Sequence, residues 1–116
     1  MGGINTISCN ALLFRQMKGW GSVGLSVEFS RHALEKVRKR GVSMSDVYGA
    51  LGVPDELYED VEHGTLVAVK KVYDKFVIVA YREEAGVVKV ITVYYTFKFD
   101  RLLRAKMVRG AWKKIK

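Results

Sequence analysis

Hydrophobic positions change their period partway along the chain. Phe29, Ala33 and Val37, with Leu34 less closely, fall on one side of a 3.6-residue repeat, and Arg31, Glu35, Arg38 and Lys39 fall on the other. Ser30 stands where an N-cap belongs and Gly41 where a helix stops, so a helix is predicted over Arg31–Arg40. Lys36 and Arg40 lie one turn apart at the flank of its apolar side. Ser43-Met-Ser-Asp46 reads as a capping box with Asp in the Glu place. It opens a second helix, Met44–Leu51, with Val47 and Leu51 facing inward. Val53-Pro54, which holds the only proline, then breaks the chain.

From Leu57 the period falls to two. Leu57–Val61 is a candidate strand, and Thr65–Tyr73 is the next, with Leu66 and Ala68 opposite Val67 and Val69. Asp74-Lys75 makes a two-residue turn. Phe76–Arg82 is apolar at nearly every position, the pattern of a central strand covered on both faces. After a turn at Glu83–Gly86, Val87–Thr96 returns. Four consecutive strands with short links make an antiparallel meander. A last helix runs from about Asp100 to Met107 or Arg109, with Phe99, Leu102, Leu103 and Met107 inward and Lys98, Arg101 and Arg104 aligned at steps of three. The order predicts an α+β fold: two N-terminal helices, a four-stranded antiparallel meander sheet and a C-terminal helix, with the helices on one face in a two-layer sandwich. Val27–Phe29 is a short strand or an extended approach. Residues 1–25 hold five of the eleven glycines and follow no clean period. They read as a flexible leader in which Met17 offers a second start and Trp20 a docking side chain. Residues 26–109 form the single domain, and 110–116 a frayed basic tail.

Composition narrows the class. A chain of 116 residues with 49% hydrophobic and 28% charged content is one folded domain rather than a disordered segment. No apolar run reaches membrane-spanning length. The single cysteine, Cys9, forbids an intramolecular disulfide and favours a reducing cytoplasm. Net charge is +8, and from Thr96 onward eight Lys/Arg face one acid, Asp100. A second basic cluster spans Arg31–Arg40, and acids gather at Asp55–Glu62. The basic pole is either a solvated cationic surface or a site for a polyanion.

There is no metal-spaced Cys/His set, Walker loop, Rossmann glycine pattern or G-x-S-x-G, so no metal or cofactor is expected. Arg, Lys, Tyr and His remain, and these suffice for cleavage of RNA by its own 2′-hydroxyl. A base takes the 2′-proton, cations stabilise the phosphorane, and an acid protonates the leaving 5′-oxygen. The candidate catalytic residues are Arg82, Tyr95, Arg101, Arg104 and His32. Tyr94, Lys98, Lys36, Arg40, Lys106 and Arg109 are candidates for RNA contact. Tyr94 and Tyr95 point to opposite faces of their strand, so one of them belongs to the core. His32 is the best-placed group for proton transfer near neutral pH. His63, in a turn beside Gly64, reads as structural.

Phe29-Ser-Arg-His-Ala-Leu-Glu-Lys-Val-Arg-Lys-Arg-Gly-Val-Ser resembles the F-x-x-H-A-x-x-R/K-x-x-x-R-G-I-S opening of a group of small prokaryotic proteins. Val47-x-x-Ala-Leu-x-x-Pro-Asp is similar to its continuation, and Val90-Ile-Thr-Val-Tyr to a later strand. The group is similar to the RelE/ParE toxin superfamily, including BrnT-like members, over about residues 27–107. The resemblance implies a RelE-like fold. It also implies a type II toxin acting as a metal-independent mRNA endoribonuclease, sometimes on the ribosome, with a cognate antitoxin covering the basic groove. Arg82, Tyr94 or Tyr95, Lys98, Arg101 and Arg104 correspond to the superfamily's functional residues by type, and His32-Ala33 by motif. Two alternatives stand beside it: a non-catalytic nucleic-acid-binding module, and a protein-interaction domain for an acidic partner such as an antitoxin or gyrase.

Overall fold

Val77, Ile78 and Val79 are consecutive and all buried, with Val77 and Val79 packed into one core and Ile78 into another. A strand buried on both sides needs cover on both sides, and the chain supplies it with helices above and below. The computed structural model describes residues 26–116 and the backbone of 4–7. In order, the elements are β1 (Ile4–Ile7), β2 (Ser26–Ser30), α1 (Arg31–Lys39), α2 (Met44–Gly52) and β3 (Glu56–Asp60). Then come β4 (Thr65–Val72), β5 (Lys75–Glu84), β6 (Val87–Thr96), α3 (Phe99–Val108) and β7 (Trp112–Lys114). Among the described residues no helix is long and apolar enough to cross a membrane.

The α+β class holds, and β3–β6 form the expected antiparallel meander. That meander lies inside a wider mixed sheet of order β1-β2-β6-β5-β4-β3-β7. β2 runs parallel to β6, Val27 opposite Val88, and β1 pairs antiparallel with β2. The leader read over 1–25 thus contains a strand. Its remainder, with Cys9, Met17 and Trp20, lies outside the described residues.

The two-layer expectation is corrected to three layers. α1 and α2 cover the face that presents Val77, Val79, Val90 and Val93. α3 covers the other face through Phe99, Leu102 and Leu103, against Tyr58, Phe76 and Ile78. Each fully buried valine or isoleucine contributes about 1.5–3 kcal/mol relative to exposure, so β5 is covered on both faces over Val77–Val79. Met107, expected to face inward, is exposed, and Ala111 and Trp112 fill that core instead.

α1 begins as predicted: Ser30 Oγ accepts from the Ala33 N–H at 3.0 Å. It ends in a Schellman motif, with Gly41 N–H to Arg38 O at 3.3 Å and Val42 N–H to Val37 O at 3.0 Å. Gly41 carries φ 64°, which a side chain would strain. The capping box before α2 is built differently from the expectation. The Tyr95 hydroxyl accepts from the Ser43 N–H at 3.0 Å and donates to Asp46 at 2.6 Å. The phenol stands between cap and carboxylate because β6 directs Tyr95 to this face.

Residues 110–116 are not a frayed tail. A second Schellman motif, with Gly110 at φ 76° and Ala111 N–H to Lys106 O at 2.9 Å, reverses the chain after α3. β7 then pairs antiparallel with β3, Asp60 opposite Trp112. Trp112 is buried, its ring 5.3 Å from that of Tyr58. We expect Trp112→Ala to lower the unfolding free energy by about 3–5 kcal/mol in urea titration, and removal of residues 110–116 to cost at least as much; a frayed tail would leave the midpoint unchanged.

Candidate functional site

Two of the chain's cations, Arg109 and Lys89, pair with carboxylates in the fold. Arg109 donates to Glu62 through Nε at 3.1 Å and Nη2 at 3.2 Å, and Lys89 pairs with Glu84 at 2.9 Å. Lys113 on β7 stands in register with Glu59 on the acidic β3. Four further cations gather on the α3 face. Lys71, Lys98, Arg101 and Arg104 line an open cleft of about 580 Å³ together with Phe76, Phe97, Phe99 and Asp100. Among the described residues the side chains of these four cations form no ion pair and no hydrogen bond. Phe97, in the link between β6 and α3, is 67% exposed. Cations flanking an exposed ring suit a single-stranded nucleic acid, whose phosphates take the charge and whose bases stack.

A second, smaller cavity of about 320 Å³ opens on the same side of the sheet, toward the other end of β5. Val67, Ile78, Ala80 and Ile91 give it an apolar floor, and His63, Arg82 and Tyr94 stand among its polar lining. Asp60, only 7% exposed, organises this end. Its Oδ1 accepts from the N–H groups of Glu62 and His63, each at 3.0 Å. Its Oδ2 meets His63 Nδ1 at 3.0 Å and Trp112 Nε1 at 3.3 Å. Burial alone would raise the Asp60 pKa, but the hydrogen bonds from His63 and Trp112 and the His63 charge outweigh it and hold the carboxyl below its ordinary value. An ionised carboxylate only accepts, so His63 Nδ1 is the donor to Asp60, and in the neutral imidazole Nε2 is the nitrogen without a proton. Arg82 donates to the backbone oxygens of His63 at 3.3 Å and Gly64 at 3.4 Å, which holds its guanidinium against the β3–β4 turn.

Ligand atoms of Asp60, Glu62 and His63 lie within 4.8 Å of one another. Both Asp60 oxygens already accept two bonds each, and both Glu62 oxygens hold Arg109. A donor set so committed does not fit a metal ion.

A family model described as a domain of unknown function, DUF4258, matches residues 29–95. The chain belongs to that family. No curated protein and no solved structure matches it. The DUF4258 match takes in Asp60, His63, Arg82 and Tyr94 and stops before Lys98, Arg101, Arg104 and Trp112. In this DUF4258 protein the cavity's charged wall is therefore largely inside the matched segment, and the cationic cleft is largely outside it.

The residues singled out from sequence fall into three places. Lys98, Arg101 and Arg104 share the cleft, whereas Arg82, Tyr94 and Lys106 line the cavity, with Lys106 Nζ 5.7 Å from the centre of the Trp112 ring. Tyr95, His32 and Lys36 belong to the opposite layer. Tyr95 is part of the core under α2, and burial and the Asp46 bond raise its pKa against the Ser43 N–H. His32 is exposed in the first turn of α1, and Lys36 lies on the same helix. Arg40 reaches the β6 edge, where Nη1 donates to Val93 O at 2.9 Å and the guanidinium stands 5.9 Å from the Tyr94 ring centre. Arg109 is held by Glu62. The single Arg/Tyr constellation expected from sequence is thus divided between the faces of the sheet.

Sequence reasoning passed over His63, Asp60, Lys71 and Phe97. Asp60 and His63 are three apart before a glycine, a turn spacing that could have linked them; Trp112 carries no such signal. The folded-state pKa of Asp60 is depressed below 3.8, so its stabilisation is complete above that value and is lost as pH falls through the folded one. We expect Asp60→Asn to be less stable than the parent by about 1–3 kcal/mol at neutral pH. In chemical denaturation at stepped pH, that gap should shrink as pH falls below about 4.

Proposed function

We propose that this chain is a RelE-like type II toxin of the cytoplasm that binds single-stranded RNA across its α3 face and cuts it without a metal. The observation that carries the reading is the cleft: Lys71, Lys98, Arg101 and Arg104, free of carboxylate partners among the described residues, around an exposed Phe97. The Phe29–Ser43 resemblance and the order of two helices before an antiparallel meander support the RelE-like part. A cognate antitoxin with an acidic segment would occupy the same cleft and silence it by competition.

Arg101 and Arg104 bind in this reading rather than catalyse, because Tyr95 and His32 lie in the other layer. RNA affinity should fall steeply with salt. Replacing Lys98, Arg101 and Arg104 together by Ala should weaken binding and lower the slope of log affinity against log salt by about 0.7 per lost contact, about 2 in all. Fluorescence anisotropy with a labelled single-stranded RNA reads both. An affinity and slope equal to the parent's would remove the proposal. Capture of an acidic protein with no RNA binding would assign the cleft to a protein partner instead.

A further inference from the structure

The cavity beside the β3–β4 turn is assigned no role by the cleft. It has the parts of a small catalytic site. Its floor is apolar, and its wall holds one imidazole and one guanidinium. His63 is oriented twice over, by its own N–H to Asp60 Oδ1 and by Nδ1 to Asp60 Oδ2, both at 3.0 Å. Asp60 is fixed in turn by Trp112 Nε1. In the neutral imidazole Nε2 then carries the lone pair, and among the described residues it has no protein partner, on a side chain 66% open to solvent. Arg82 uses two donors on the turn's carbonyls and keeps the rest for an anion. Tyr94 lines the same cavity, and its hydroxyl forms no hydrogen bond among the described residues.

We infer that this cavity is a site for RNA transesterification in which His63 is the general base, Arg82 binds the phosphoryl oxygens, Tyr94 is the general acid and Asp60 is a positioning residue. The inference rests on the α3 face binding RNA, and it places the chemistry in the cavity. His63 Nε2 takes the proton of a 2′-hydroxyl as the 2′-oxygen bonds to phosphorus. The bond from phosphorus to the 5′-oxygen breaks, and that oxygen takes the Tyr94 proton. The products are a 2′,3′-cyclic phosphate and a 5′-hydroxyl, and His63 returns its proton to Tyr94 through water. Burial keeps the Tyr94 hydroxyl protonated against the opposing charge of Arg40, and the Asp60 carboxylate adds to that.

The test uses the full chain, a single-stranded RNA oligonucleotide of mixed sequence at saturating concentration, and its all-deoxy counterpart. The parent should yield 2′,3′-cyclic phosphate ends from the RNA and leave the DNA whole. His63→Ala should cut about 10²–10⁴-fold more slowly, and added imidazole should restore part of the rate, which a merely structural role would not allow. Cleavage by His63→Ala at the parental rate, cleavage of the DNA, or RNA bound by the parent without cleavage each overturns the assignment while leaving the cleft's role intact. Failure of the parent to bind RNA at all overturns the proposed function and this inference with it.

Discussion

The burial of β5 on both faces sets the plan of this protein. A strand whose consecutive residues Val77, Ile78 and Val79 are all apolar cannot end a two-layer fold. The α1–α2 pair serves Val77 and Val79, and α3 has to cross the other side to serve Ile78. The cover is unequal. α3 has ten residues and so is about 15 Å long, whereas β5, also of ten residues, extends about 33 Å. One short helix therefore shields Phe76 and Ile78 and leaves the sheet toward Arg82 open. The cavity is the uncovered part of the α3 face, and its apolar floor follows from strands patterned for burial.

The distribution of charge follows from the same layout. The reversal at Gly110 lays the basic end of the chain along the acidic β3, and Arg109 finds Glu62. Exposed pairs of this kind contribute little to stability, about 0–1 kcal/mol each. Their effect is on where charge is left over. Glu62 and Asp60 are engaged at the end of α3, while the cations near its start, Lys98, Arg101 and Arg104, share their cleft with one carboxylate, Asp100, and with Lys71 from β4.

The local grammar of the fold was legible in the residues. The Ser30 cap, the Gly41 stop, the meander and the opposed directions of Tyr94 and Tyr95 are all short-range consequences of sequence. The apolar run in β5 already implied cover on both faces, in conflict with placing every helix on one. An amphipathic stripe such as Phe99, Leu102 and Leu103 says that a helix packs but not on which side of a sheet. The parallel pairing of Val27 with Val88 and the return of Trp112 to Asp60 join distant parts of the chain and leave no periodicity to read. The site divides on the same line. Lys98 stands at the cap of the helix that carries Arg101 and Arg104, and the three were found together. His63 depends on a carboxylate whose burial is completed by a residue near the other end of the chain, and it looked like an ordinary turn histidine.

That dependence ties the two regions of the α3 face into one body. The end of α3 is fastened to the β3–β4 turn at three points: Arg109 to Glu62, Val61 N–H to Ala111 O at 2.9 Å, and Trp112 Nε1 to Asp60 Oδ2. The helix that carries Arg101 and Arg104 cannot shift without moving the wall that holds His63. Under the proposed function, a polymer held in the cleft would be presented to the imidazole at a fixed separation, and precise placement of reacting groups is worth far more to a rate than any one contact is to affinity. Trp112 serves both ends of that arrangement. It fills the core beneath α3 and supplies the fourth hydrogen bond to Asp60, so the packing that stabilises the helix also orients the base.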